Sequence, residues 1–374
     1  MRFIAVVLSS LFVFSCQLKQ SGPLNFGPDD YPALLSDWQL MQRDDEQLLL
    51  HEDMLPYDLL TPLFSDYALK LRTVWMPPGT SAIYNSREVF DFPVGTIITK
   101  TFYYPRDPDN VDAVLRTDAD VHGFGDNTFD LNAVRLIETR LLVRQASGWD
   151  ALPYVWNSEQ SDASLQLTGA IQRLRMRDSN ELSKPAVEFA YIVPNRNECA
   201  SCHAVDQNEG QLHPIGPASR HLDKTFTHYR EGPDAQLAHW VARGILSDLP
   251  SARMASSLTG TEQQARAYLD VNCGHCHQPG GSADTSGLFL HAAETSLLKM
   301  GVCKPPVAAG RGTGGHRYSI VPGAPDESIL LFRMNSKELD IQMPEVGRSL
   351  VHAEGVSLVR NWIEQLSGEC AVPG

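Results

Sequence analysis

Four of the seven cysteines fall in two five-residue strings, Cys199-Ala200-Ser201-Cys202-His203 and Cys273-Gly274-His275-Cys276-His277. C-x-x-C-H is the attachment pattern of c-type haem. Two thiols three positions apart on a helical turn reach the two vinyl groups of one porphyrin as thioethers. The next residue then turns its imidazole toward the iron. At this composition one such string is expected by chance roughly 0.004 times, so two of them carry meaning. The set predicts two covalent haems, with Cys199, Cys202, Cys273 and Cys276 as attachment points and His203 and His277 as iron ligands. An all-thiolate zinc site would join pairs about 70 residues apart and leave each trailing His unexplained. A thioredoxin-like pair needs a βαβ setting, which neither string has.

The elements that must position these groups follow from the flanking sequence. Thr261-Glu262-Gln263-Gln264 reads as a capping box opening a helix, with Ala265, Tyr268, Leu269 and Cys276 near one face. Gln342-Met343-Pro344 comes later, and a last helix is expected over 352–366, striped by Val356, Val359, Ile363 and Leu366 with Trp362 beside them. Helix, C-x-x-C-H, Met-Pro loop and Trp-bearing final helix, in that order, resemble class I cytochrome c. The resemblance assigns Met343 as sixth ligand of the second haem. The first string lacks a long preceding helix; the run 191–193 reads as a strand ending at Pro194. His213-Pro214-Ile215-Gly216-Pro217 stands where class I proteins carry a Gly-Pro loop, so the resemblance has the Pro217 carbonyl orient His203. For the sixth ligand of this haem Met254 leads. His213, His221, His228, His239 and Met176 are the alternatives, together with no protein ligand at all.

Arg2 precedes a short apolar run, 3–14, broken only by Ser9 and Ser10. That is too short for a stable span and right for an export signal. The run ends Val13-Phe14-Ser15-Cys16, which resembles a bacterial lipobox; Cys16 would be lipidated, and Gln17 after it points to the outer membrane. Residues 17–28 read as a tether. An exported chain lives where disulfides persist, and pairing of Cys303 with Cys370 is the simplest use of the last two cysteines. Lys and Arg number 31 against 45 Asp and Glu, a net charge of −14, which disfavours nucleic acid as a partner.

Residues 30–195 contain no Cys, and β-rich runs recur at 71–75, 96–104, 133–145, 152–156 and 187–193, punctuated by turns such as Ser147-Gly148. A helical stretch is expected over 37–50. The acid-rich loop from Asp107 to Asp130 reads as a solvated insertion rather than a Ca²⁺ site. The fold class expected is multidomain α+β: an N-terminal β-sandwich or barrel-like domain followed by two mostly α-helical cytochrome c-type haem units. The divisions are 1–15 signal peptide, 16–29 tether, 30–195 β-rich domain, 196–260 first haem unit and 261–374 second.

Several segments together are similar to a family of proteobacterial dihaem c-type cytochromes encoded beside a parallel β-helix protein. They include Tyr57-Asp-Leu-Leu-Thr-Pro-Leu-Phe, Phe92-Pro-Val-Gly95 with Lys100-Thr-Phe102, Leu136-Ile-Glu-Thr-Arg-Leu141, Pro214-Ile-Gly-Pro217 and Arg266-Ala-Tyr-Leu-Asp-Val-Asn272. The resemblance implies electron transfer through two covalent haems c. It also implies a redox protein partner, with the β-helix protein as one candidate, and a membrane reached through the lipid anchor. The competing expectation is a haem-dependent oxidoreductase, peroxidase-like or substrate-oxidising, with one open iron site. A third makes the β-half a partner-binding module and the haems a relay in a larger surface complex.

Overall fold

The computed structural model describes residues 22–118, 122–204, 210–251, 258–307 and 310–371. A six-stranded antiparallel sheet runs in the spatial order Ala163–Leu165, Gly148–Trp156, Val134–Gln145, Ile97–Pro105, Leu69–Trp75, Leu55–Tyr57. Its strands are long because Val, Ile, Thr and aromatic residues suit a pleat buried on both sides. Buried Leu71, Tyr103, Leu141 and Tyr154 join one core with Leu48, Leu50 and Phe129 of a four-stranded sheet. Phe102, Tyr104 and Ile137 join another with Leu174, Met176 and Tyr191 of a three-stranded sheet.

The expected helix over 37–50 is instead a 3-10 turn, Leu35–Trp38, and a hairpin of Met41–Asp44 and Gln47–Leu50. The cause is local. Asp45 takes φ +53°, as a two-residue turn requires, and Leu48 and Leu50 then point inward at period two.

The larger correction concerns fold class. The described residues are β-rich as a whole, 28% strand against 20% helix, with the strands gathered before residue 248, and two mostly α-helical units are not shown. Between residues 196 and 251 the helices α1 (Arg196–His203), α2 (Ser219–Leu222) and α3 (Gln236–Ala242) have at most eight residues. Helices so short cannot enclose a core of their own. Leu222, Phe226, Leu237 and Trp240 are buried in the main β core, and Leu246–Ser247 pairs in parallel with Ala82–Ile83. Beyond residue 260, α4 (Thr261–Leu269), α5 (Ile329–Asn335) and α6 (Ala353–Gln365) pack around Leu269, Leu331, Val359, Trp362 and Ile363. The other described residues of that part form a π-helical turn, three short 3-10 turns and loops. Gly260 is the N-cap of α4, without a side-chain cap, so the capping box expected at Thr261 is absent. A capping box does open α1: Asn195 accepts from Asn197 and Glu198, and Glu198 accepts from the Asn195 amide at 2.8 Å. Cys303 and Cys370 form a disulfide that ties the segment after α6 to the loop before α5.

Candidate functional site

The first string lies on α1, whose capping box fixes the turn carrying Cys199, Cys202 and His203. The second lies where α4 continues as a π-helical turn, Asp270–Gly274. A single π-turn of this kind breaks the ordinary register and is frequent at functional sites. The two strings meet. Cys202 Sγ, Cys276 Sγ and a ring nitrogen of His275 lie within 4.8 Å of one another, and the Cys276 thiol donates to the Ser201 carbonyl at 3.4 Å. No local pattern marks this meeting, because the two strings lie about 70 residues apart in the chain.

Each trailing histidine is oriented in the same way. His203 Nδ1 faces the His213 carbonyl at 2.8 Å, and His277 Nδ1 faces the Leu288 carbonyl at 3.2 Å. A carbonyl can only accept, so each Nδ1 carries the proton and each Nε2 keeps its lone pair. Burial lowers both imidazoles, His203 to about 3, which keeps them neutral. This corrects the role expected of Pro217. The carbonyl at His203 belongs to His213, and that of Pro217 accepts the Phe90 amide at 3.3 Å.

A cavity with about 1310 Å³ of atom-free space, partly open to solvent, is lined by Cys199, Cys202, His203 and His275. Strand residues of the six-stranded sheet form one wall, including Arg72, Lys100 and Arg140. Pro344, Val346 and Gly347 close another. Met343 is half-buried and is not part of that lining. Its carbonyl accepts from Arg348 at 2.9 and 3.1 Å, and its amide donates to the Arg333 carbonyl at 3.0 Å. Arg348, almost fully buried, also donates to the carbonyls of Leu350 and Ser336, so it clamps this loop. Cys16 and Met254 lie outside the described residues.

The thiols differ in environment. Burial raises Cys199, and Cys273 to about 12. The hydrogen bond between Cys202 and Cys276 raises the first and lowers the second.

Asp270, at the start of the π-turn, connects the two strings' surroundings. Its carboxylate accepts from Arg220 at 2.8 Å, from the Ala292 amide at 2.8 Å and from His221 Nε2 at 3.4 Å. Burial pushes Asp270 up, but the bonds from His221 and Arg220 outweigh it and hold it well below the usual carboxylate range. Asn272 accepts from the Phe64 amide at 2.8 Å.

The residues missed from sequence are the cations of the sheet wall. Arg72, Lys100 and Arg140 are spaced by ordinary strand alternation, and only the register across three strands brings them together. Comparisons with known families, with curated proteins and with solved structures find no match.

Proposed function

We propose that the chain is an exported dihaem c-type cytochrome that passes single electrons between protein partners. The observation that carries this is the matched pair of histidines. Each follows a C-x-x-C pair, each has Nδ1 committed to a backbone carbonyl, and each therefore offers a neutral Nε2. Cys199, Cys202 and His203 would hold one haem; Cys273, Cys276 and His277 would hold the other, with Met343 as sixth ligand. Haem c supplies a one-electron Fe(III)/Fe(II) couple whose potential the axial ligands and burial tune. The chain's own part is to fix the imidazole tautomers, to cover the first site with the sheet wall, and to hold the Met343 loop through Arg348. Lipidation of Cys16 would anchor it at the outer membrane.

A second reading rests on the Cys202, His275 and Cys276 group, a soft nitrogen and sulfur set that suits a metal ion such as zinc. It leaves His203 and His277 outside the site. The test is a pyridine-haemochrome count on protein matured in a host that attaches c-type haem, with metal analysis alongside. Two covalent haems per chain support the cytochrome. Zinc without covalent haem overturns it. In the haem-loaded protein, two six-coordinate low-spin irons mark a carrier. A high-spin ferric fraction that binds CO on reduction marks the oxidoreductase with an open site.

A further inference from the structure

Arg72, Lys100 and Arg140 occupy one rung of the six-stranded sheet. Arg72 is paired in register with Lys100, and Lys100 with Arg140. Directly opposed residues on adjacent strands point to the same face, so three cations stand side by side. Like charges in that position repel and are destabilising. Burial makes it worse, most of all for Arg72, since an unpaired charge removed from water is costly.

The protein compensates only part of the row. Arg140 is held in a two-point bond by buried Glu138, at 2.6 and 2.7 Å. Arg72 Nη1 reaches Asp58 at 3.2 Å, but Asp58 also serves Lys224 at 2.8 Å. Arg72 is 5% exposed, and its Nη2 is buried without any hydrogen-bond acceptor. Lys100 has no hydrogen-bond or ion-pair partner among the described residues; its ammonium stands 5.2 Å from the Phe102 ring. The same ring has Lys70 at 5.5 Å and Arg140 at 4.4 Å, so its negative face is shared three ways. Glu198 is the one carboxylate among the cavity's lining residues, and it is already engaged by the Asn195 amide. The row lines the cavity that also holds Cys199, Cys202 and His203. An anion with carboxylate-like oxygens would complete this balance, since it satisfies a guanidinium and an ammonium together.

We propose that this rung is the seat of the propionate carboxylates of the haem attached at Cys199 and Cys202, with Arg72 Nη2 and Lys100 as their donors. The inference rests on the haem reading above. It gives the β-rich part a specific role: its sheet neutralises and orients one cofactor edge, so that the two parts of the chain form a single redox unit. A cation beside the propionates favours the added electron of Fe(II), and thus a higher potential for that haem.

The experiment uses the full haem-loaded chain, with the haem count and both midpoint potentials measured for the parent, Lys100→Gln, Arg72→Gln and Lys100→Arg. Lys100→Gln is expected to keep two haems and to shift one midpoint downward while the other stays. Arg72→Gln should shift the same midpoint in the same direction, and it carries the test if the first variant does not accumulate. Lys100→Arg should restore the parent value. Two unshifted midpoints on a two-haem Gln variant overturn the propionate seat and leave the cytochrome intact. A parent without covalent haem overturns both. The parent is also titrated with succinate. No response, with the midpoint shift in the variants, supports propionates; a saturable shift that Lys100→Gln abolishes assigns the row to a diffusible carboxylate and overturns the seat.

Discussion

At the scale of single residues the proposed haem reading rests on a local signal. Two thiols and an imidazole in five residues form the attachment pattern whatever the fold around them. What was not legible is which group supports each histidine. His213 and Leu288 act through main-chain carbonyls, which any residue carries, so no side-chain pattern marks them. Met343 is the residue on which the class I resemblance depends most. A thioether favours Fe(II) more than an imidazole does, so Met343→His should lower one of the two midpoints by on the order of 100 mV. The covalent haem should remain, since Cys273, Cys276 and His277 are untouched. Redox titration checks it. Two unshifted midpoints on a folded variant would reduce Met343 to packing beside Pro344.

At the scale of elements, the long strands and the helices α4 and α6 carry their own signal and the shorter helices carry less of it, for a physical reason. Strands 187–193 and 134–145 carry their signal in β-branched and aromatic runs bounded by turns. The short helices of 196–251 owe their existence to burial against the β core, which sequence periodicity does not show. The crossing of α4 and α6 is one element contact with a sharp test. Gly355 lies in α6, and a Cβ there would come within 2.3 Å of the Tyr268 hydroxyl on α4. Helix propensity alone would favour Gly355→Ala by about 1 kcal/mol. Overpacking costs typically 1–3 kcal/mol, and at this distance the clash should win. We expect a net loss of about 1–2 kcal/mol in denaturant unfolding. A variant as stable as the parent, or more so, would show that the crossing relaxes freely. The same substitution at Gly347, where φ is +82° but no atom lies within 4 Å of the added Cβ, should cost about 1 kcal/mol through backbone strain alone.

At the scale of the molecule, the β-rich part and the helices beyond residue 260 are joined through a few specific contacts. The buried Asp66 carboxylate accepts the amides of Ser349 and Leu350, and Leu350 enters the core around Phe102 and Tyr191. Outside the described residues, the proposed lipid anchor has its own test: Cys16→Ala should move the protein from membranes to the soluble fraction, and retention in washed membranes would rule the lipid out. The joint also predicts a pH dependence. His352 stacks on Phe64 of the β-rich half at 4.2 Å and meets the Tyr268 hydroxyl of α4 at 3.1 Å. Burial lowers it to about 4, with Lys70 and Arg116 pushing the same way and Glu354 opposing. Its folded pKa thus lies below the unfolded value near 6.5, so the unfolded state takes the proton more readily. Stability from this group is complete above about pH 6.5 and is lost as the pH falls toward 4. The shift corresponds to about 3 kcal/mol at most. His352→Phe preserves the stack on Phe64 and removes the titration. Urea unfolding at pH 7 and at pH 4.5 should therefore show a smaller acid loss in the variant, by about 2 kcal/mol. His203, His221 and His277 are the same in both proteins, so their contributions cancel in the difference. Equal acid losses would mean that the joint does not sense His352 at all, and that the halves are held through Asp66 and Leu350 instead.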